Sequence, residues 1–349
     1  MFPLISSGYR LLVRPLLFRL PPESAQAVAD HALKQGWLWR GLAPVFRARG
    51  AGLATDLCGL KLANPVGLAA GYDKDCDFLS SLAAMGFGYV VGGTVTKLPQ
   101  PGNPKPRLLR YPGEQSLVNA LGFPSRGLEY AARRLERDRP RLGGTPVVVS
   151  VSGVTVDAIV RCHRRLEPLV AAIEVNISSP NTAGLRVFQD APALADLLGR
   201  LNEGRTKPLF VKLPPYPGAG GASGPSGEEA ERVMALVKTC VQEGADALTV
   251  ANSRPVQDAR LAVGAGGLSG KPVFADTLRM VSDVRDEAGS RLAINACGGI
   301  FTGEDAWLAL QAGATTVQLL TGMVYRGPGV AKSVNRELLR LRAEVVGSD

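Results

Sequence analysis

Polar and glycine residues recur at one point of a repeating pattern in this 349-residue chain. Short β-rich runs end at or just before Lys74, Thr94, Ser150, Asn176, Lys212, Asn252, Gly298-Gly299 and Thr321. Three glycine-bearing segments stand out: Gly266-Gly267-Leu268-Ser269-Gly270, Cys297-Gly298-Gly299-Ile300 and Leu320-Thr321-Gly322. Backbone N–H groups free of side chains form anion-binding nests, and several such segments together point to a phosphate. A single Gly-Gly pair would mean only a turn. Lys212 ends an apolar run, and a buried ammonium needs an anion. The candidates are a carboxylate inside the fold or a flavin ring, which becomes negative near N1 and O2 on reduction. Asn119, Asn176, Asn181 and Asn252 each offer an amide that both donates and accepts. Four of them converging would suit a planar ligand rich in hydrogen-bonding groups, such as a pyrimidine.

Such convergence needs elements that bring distant residues to one rim. The runs Pro65–Ala69, Tyr89–Thr94, Pro146–Val151, Ala172–Ile177, Pro208–Leu213, Ala247–Ala251, Leu292–Ala296 and Thr315–Leu319 are mostly continuously apolar. Strands covered on both faces have that character. The stretches between them, including Ser226–Glu243 and Pro272–Ala288, have helical spacing. Eight β/α units predict an α/β fold, a (β/α)8 TIM barrel, with its site where the strands end. A doubly wound open sheet would want a glycine-rich first turn. That turn is Ala70-Gly71-Tyr72-Asp73-Lys74, which lacks the fingerprint. The Gly-, Ser- and Pro-rich segment 218–227 is expected to be a loop.

Composition narrows the chemistry. The five cysteines have no C-x-x-C spacing and only His31 and His163 are present, so neither a disulfide framework nor a metal site is expected. Net charge is +9, and residues 1–50 carry +5 of it, with Glu23 and Asp30 as their only acids. A basic, apolar N-terminus suits an anionic membrane surface. No basic-aromatic interleaving supports a nucleic-acid partner. The run Leu11, Leu12, Val13, Leu16, Leu17, Phe18 is broken by Arg14 and Pro15, too short for a membrane span and without a cleavage site. A helix is expected to start near Pro22 and end at Gly36, followed by Trp37, Leu38, Trp39, Leu42, Val45 and Phe46. The domain division is therefore a small N-terminal helical extension, 1–50, and a barrel, 51–349. The extension would lie on a membrane through its apolar face or cap the barrel with it, and different faces can do both.

Several runs resemble one family. Asn176–Arg186 (NISSPNTAGLR), Asn64–Lys74 (NPVGLAAGYDK), Met85–Gly88, Gly102–Arg107, Asn119–Phe123 (NALGF) and Gly266–Pro272 (GGLSGKP) are similar, in order and spacing, to the signatures of class 2 dihydroorotate dehydrogenases. The resemblance implies FMN as cofactor, oxidation of dihydroorotate to orotate in pyrimidine biosynthesis, and a quinone as acceptor. It further implies a peripheral place on the cytoplasmic side of the cell membrane. Ser179 would be the catalytic base. Lys74, Asn119, Leu121, Gly122, Phe123, Asn176, Asn181, Asn252 and Ser253 would hold substrate. Ala70, Gly71, Thr94, Ser150, Asn176, Lys212, Ala251, Gly267, Gly270, Gly299, Leu320 and Thr321 would hold FMN, and Arg110 would stand at the quinone entrance. The chain departs from the family pattern at Val91, Ser150, Pro214-Pro215-Tyr216, Ala251 and Leu320. Another flavin barrel acting on dihydropyrimidines or dihydrouridine, or a diverged flavin-binding barrel, are the alternatives.

Overall fold

The computed structural model describes residues 6–48, 50–178, 185–216 and 227–346. Eight parallel strands close into a barrel: β1 (Val66–Leu68), β2 (Tyr89–Val95), β3 (Val147–Val151), β4 (Ala172–Asn176), β5 (Leu209–Lys212), β6 (Ala247–Val250), β7 (Ala293–Cys297) and β8 (Thr316–Leu319). They pair in chain order, and Val317 of β8 stands opposite Val66 of β1 to complete the ring. No strand boundary differs by more than one residue from the run expected from sequence. The agreement has a simple cause. A strand such as Val-Val-Val-Ser-Val is buried along its whole length, and β-branched residues fit a pleated, covered surface. The expected helices appear as Glu228–Gln242 and Phe274–Ala288.

A hairpin, Thr55–Leu57 with Leu60–Leu62, closes the N-terminal end of the barrel. Its Leu57 and Leu62 pack onto Tyr89, Val91, Val148 and Phe210 at the barrel floor. At the other end stands a four-stranded antiparallel sheet absent from the sequence reading. Its strands, in spatial order, are Arg254–Gln257, Ala265–Gly270, Ser116–Asn119 and Leu108–Tyr111. The glycine run read as anion-binding backbone is thus also a central strand, with Gly267 opposite Asn119. Close pairing explains one glycine: a Cβ on Gly267 would sit 2.0 Å from Ser253 Oγ.

The N-terminal extension is helical from the start of the described chain. A widened turn, Tyr9–Val13, leads into α1 (Arg14–Arg19), α2 (Pro22–Leu33) and α3 (Gly36–Phe46). Pro22 opens α2, where its missing N–H costs nothing. One side of this unit is fastened to the barrel. Tyr9 donates to the Val324 carbonyl at 2.7 Å, and Phe18 meets Tyr325 edge-on at 5.3 Å between centroids. Ser81 caps the end of α2 by donating to the Leu33 carbonyl at 2.6 Å. The other side is apolar and open: Leu11, Leu12, Leu16 and Trp37 are 73%, 67%, 61% and 70% exposed. Among the described residues, no helix is long and apolar enough to cross a membrane.

Candidate active site

The C-terminal ends of the strands surround one cavity. On one wall, hydrogen bonds link β6, β4, β2 and β3. Asn252 Nδ2 donates to Ser178 Oγ at 2.9 Å, and Ser178 Oγ donates to Asn176 Oδ1 at 2.7 Å. Asn176 Nδ2 in turn donates to Thr94 Oγ1 at 3.3 Å, and Thr94 shares a 3.1 Å hydrogen bond with Ser150. Asn176 is thus held at both ends, and so is Asn252, whose Oδ1 accepts the Ser253 N–H at 2.8 Å, which fixes both amide planes at the cavity wall. Asn119 completes the set from the antiparallel sheet, donating to the Gly267 carbonyl at 3.3 Å.

Charge enters the cavity at three places. Lys212 is buried at the end of β5, with Nζ 3.9 Å from Cys297 Sγ. Among the described residues no carboxylate forms a direct ion pair with it. Lys74 lies in the loop after β1, beside a run of acids. Burial lowers its pKa, while Asp30, Asp73 and Asp75 work the other way. Burial pushes Asp73 up to about 7, although it accepts the backbone N–H groups of Asp77 at 2.7 Å and Phe78 at 2.8 Å. Arg110 is the third cation. It donates to the Leu17 carbonyl at 3.2 Å, also binds the Leu20 carbonyl, and lies 4.5 Å over the Phe18 ring. It therefore closes the end of α1, whose last carbonyls need donors, as well as lining the cavity.

Asp30 of α2 carries a measurable consequence. Burial raises it from 3.8 to about 6, opposed by Lys74 and Lys34. Its folded value exceeds its unfolded one, so its stabilising contribution is complete below about pH 4 and lost as pH rises through 6. Asp30→Asn is expected to be more stable than wild type at pH 8, with the difference vanishing near pH 4. Urea midpoints at both pH values check this, and curves that stay parallel would refute it.

Glycines shape the opposite rim. Gly270 and Gly299 have positive φ, of 102° and 73°. A Cβ on either would come within 2.3 Å of the Gln115 carbonyl oxygen or 2.5 Å of Phe274 Cβ. Thr321 adds a hydroxyl, bonded to Ser269 Oγ at 2.9 Å. Backbone N–H groups and hydroxyls so grouped can hold a phosphate. Beyond this rim the cavity turns apolar. It continues between Leu108, Leu117, Phe301 and Val324 to Tyr9, Leu17, Phe18, Ala25 and Ala29 of the N-terminal helices.

Most residues singled out from sequence line this one cavity: Ala70, Gly71, Lys74, Thr94, Arg110, Asn119, Leu121, Gly122, Phe123, Asn176, Lys212, Ala251, Asn252, Ser253, Gly270, Gly299, Leu320 and Thr321. Two do not. Ser150 is wholly buried behind Thr94, and Gly267 backs onto Ser253. Ser179 and Asn181 lie outside the described residues, as do most of 218–227. Val91, a departure from the family pattern, belongs to the barrel floor, and Tyr216 is anchored by donating to Asp283 at 2.5 Å. The sequence reading missed the linking role of Ser178 and the cavity lining by Gln318 and Cys297. Gln318 had a legible signal, an amide within a run expected to be a buried strand.

Fold and cavity together define a (β/α)8-barrel enzyme, with an amide-lined mouth at the strand ends opening into an apolar passage. The dihydroorotate dehydrogenase family model matches residues 52–341. A Chloroflexus aurantiacus protein described as dihydroorotate dehydrogenase (quinone) is 37% identical, over 95% of this chain and 96% of its own length. A Thermus thermophilus protein of the same description is 38% identical over 95% and 97%. The crystal structure of DHODH from Eimeria tenella in complex with ferulenol superposes with a TM-score of 0.80 at 30% identity, covering 95% of both chains. The chain belongs to the dihydroorotate dehydrogenase family, on its class 2 branch.

Proposed function

We propose that this protein oxidises dihydroorotate to orotate for pyrimidine biosynthesis, holds FMN in the barrel mouth, and passes the electrons to a quinone. The observation that carries this reading is the single cavity joining the amide-lined mouth to an apolar passage under the N-terminal helices, in a chain of this family. The residues present fit the cofactor. Gly270 and Gly299 line the cavity with backbone in a conformation that side chains would not allow, Thr321 adds a hydroxyl that could meet its phosphate, and Lys212 offers a buried cation. Gln318 is fully buried against the cavity, with no well-formed hydrogen bond to either amide atom although the Tyr89 hydroxyl lies near it. When bound, FMN accepts hydride from the substrate and gives electrons up to a second acceptor.

The chain's own groups supply the rest. Lys74 would meet the substrate carboxylate, and Asn119, Asn176, Asn181, Asn252 and Ser253 would read the amides of its ring. Ser179 would take the C5 proton. Ala70, Gly71, Thr94, Ala251 and Leu320 would border the cofactor, with Ser150 supporting it through Thr94. Arg110 and the apolar passage would admit the quinone. The exposed face formed by Leu11, Leu12, Leu16 and Trp37 would rest on the cytoplasmic side of the cell membrane, helped by the basic charge of the segment. Purified protein should carry FMN colour, bleach with dihydroorotate without oxygen, and recover colour on adding a long-chain quinone. A protein that binds FMN but is not bleached by dihydroorotate would sink the substrate assignment.

Lys212→Met is expected to weaken FMN retention by roughly 10- to 100-fold, the worth of a hydrogen bond to a charged group. Fluorescence titration of the cofactor-free protein checks it. Undiminished affinity with an unchanged reduction potential would make Lys212 structural.

A further inference from the structure

The barrel interior carries a polar belt where such barrels usually pack branched aliphatic side chains. Tyr89 of β2 is 2.8 Å from Thr316 Oγ1 of β8. Thr316 Oγ1 donates to Asn295 Oδ1 of β7 at 2.7 Å, and Asn295 Nδ2 donates to Thr249 Oγ1 of β6 at 3.5 Å. Thr249 Oγ1 donates to Glu174 Oε2 of β4 at 2.8 Å. The direction of every bond follows. Thr316 spends its only proton on Asn295, so Tyr89 must be the donor to Thr316. All four donors therefore point one way and end on Glu174. That polarity suits an ionised acceptor, and aligned hydrogen bonds strengthen one another in a dry interior.

Glu174 has no exposure, and its Oε1 has no protein partner. Lys212 lies on β5, between β4 and β6, in register with Asn176 on one side and Thr249 on the other. Carboxylate and ammonium thus occupy neighbouring levels of one barrel interior without a direct ion pair. Burial works against the Lys212 ammonium, but Cys297 and Glu174 outweigh it and hold the group above the ordinary lysine value. Burial also raises the Cys297 thiol. Cys297 Sγ is the hydrogen-bond partner of Lys212, and Glu174, at the end of the belt, is the carboxyl group of the adjacent level.

We propose that Glu174 is a positioning residue for electron transfer, a belt-oriented carboxylate that partly neutralises Lys212 and so limits how strongly the mouth favours a reduced, anionic flavin. The proposal rests on the FMN reading above. An uncompensated lysine would stabilise the reduced ring further, aiding its formation but hindering delivery of electrons to the quinone. A carboxylate fixed one level below tempers that field without occupying the cavity.

The test is the reduction potential of the FMN-loaded protein, measured against a reference dye. Glu174→Gln keeps an oxygen to accept from Thr249 and removes only the charge. The ratio of affinities for reduced over oxidised FMN should rise about tenfold, equivalent to a potential about 30 mV higher for a two-electron couple. Glu174→Asp should return most of the way to wild type. Thr249→Val, which strips the donor from the carboxylate, should move the potential in the same direction by less, and it decides the matter if Glu174→Gln does not fold. An unchanged or lowered potential in folded, FMN-loaded Glu174→Gln overturns the proposal, as does an unmoved potential in Thr249→Val if that variant must stand in. Wild-type protein that takes up no FMN overturns the cofactor reading instead, and this proposal with it.

Discussion

Ser179→Ala should leave FMN bound while slowing flavin reduction by dihydroorotate roughly 10²- to 10⁴-fold, the usual cost of losing a general base. The neighbouring serine cannot stand in. Ser178 spends its proton on Asn176 Oδ1 and accepts from Asn252 Nδ2, so its hydroxyl is committed to fixing the amides. A serine hydroxyl is a poor free base, and its proton transfer must be relayed or concerted with hydride departure. Ser179→Cys should retain more activity than Ser179→Ala, increasingly so as pH approaches the ordinary thiol value of about 8.5. Anaerobic stopped-flow reduction isolates this half-reaction from quinone chemistry. A Ser179→Ala protein reduced at the wild-type rate would remove Ser179 from the mechanism.

The second large effect should come from the open face of the N-terminal unit. Replacing Leu11, Leu12, Leu16 and Trp37 together by serine should cut binding to anionic vesicles at least ~100-fold. Full burial of one such side chain contributes about 1.5–3 kcal/mol, so even partial insertion of four exceeds the ~3 kcal/mol this needs. Reduction of a long-chain quinone presented in vesicles should fall with it. Bleaching by dihydroorotate and reduction of a small soluble dye should not change, because the substituted side chains point away from the cavity and the anchors through Tyr9, Phe18 and Arg110 are untouched. Added salt should weaken vesicle binding by wild type, since each surface Lys or Arg contributes about 1 kcal/mol near an anionic membrane. Full quinone turnover and vesicle binding in the fourfold variant would show that this face does not meet lipid.

That design depends on knowing which residues face where, and the sequence left this open. Periodicity could say that residues 1–50 are apolar and basic. It could not say that Phe18 and Tyr9 turn inward while Leu12 and Leu16 turn out, because both faces of the segment are apolar. Arg110 was legible as a residue of the entrance only through family resemblance. Its bonds to the Leu17 and Leu20 carbonyls depend on a helix nearly a hundred residues earlier in the chain.

The antiparallel sheet was illegible for a related reason. Ala265–Gly270 holds three glycines and shows no apolar alternation, and it pairs with residues 116–119, about 150 positions away. Ser150 was expected at the cofactor, yet a step in depth within the barrel puts it behind Thr94. Glu174 did leave a trace, an acid inside the otherwise apolar run Ala172–Ile177, but nothing local identified what it serves.

The eight strands, the barrel, the glycine rim and the amide cluster were determined by the sequence itself. Each rests on local patterning, since a strand buried on both faces is apolar along most of its length, and the polar groups at the strand ends mark the site. The tertiary structure alone decided the one-way hydrogen-bond belt from Tyr89 to Glu174, the placement of Lys212 between Asn176 and Thr249, and the passage from the mouth to the helices. Those depend on the register at which distant strands meet when the barrel closes. A one-residue shift there would turn each inward side chain outward, and no local spacing records which register is taken.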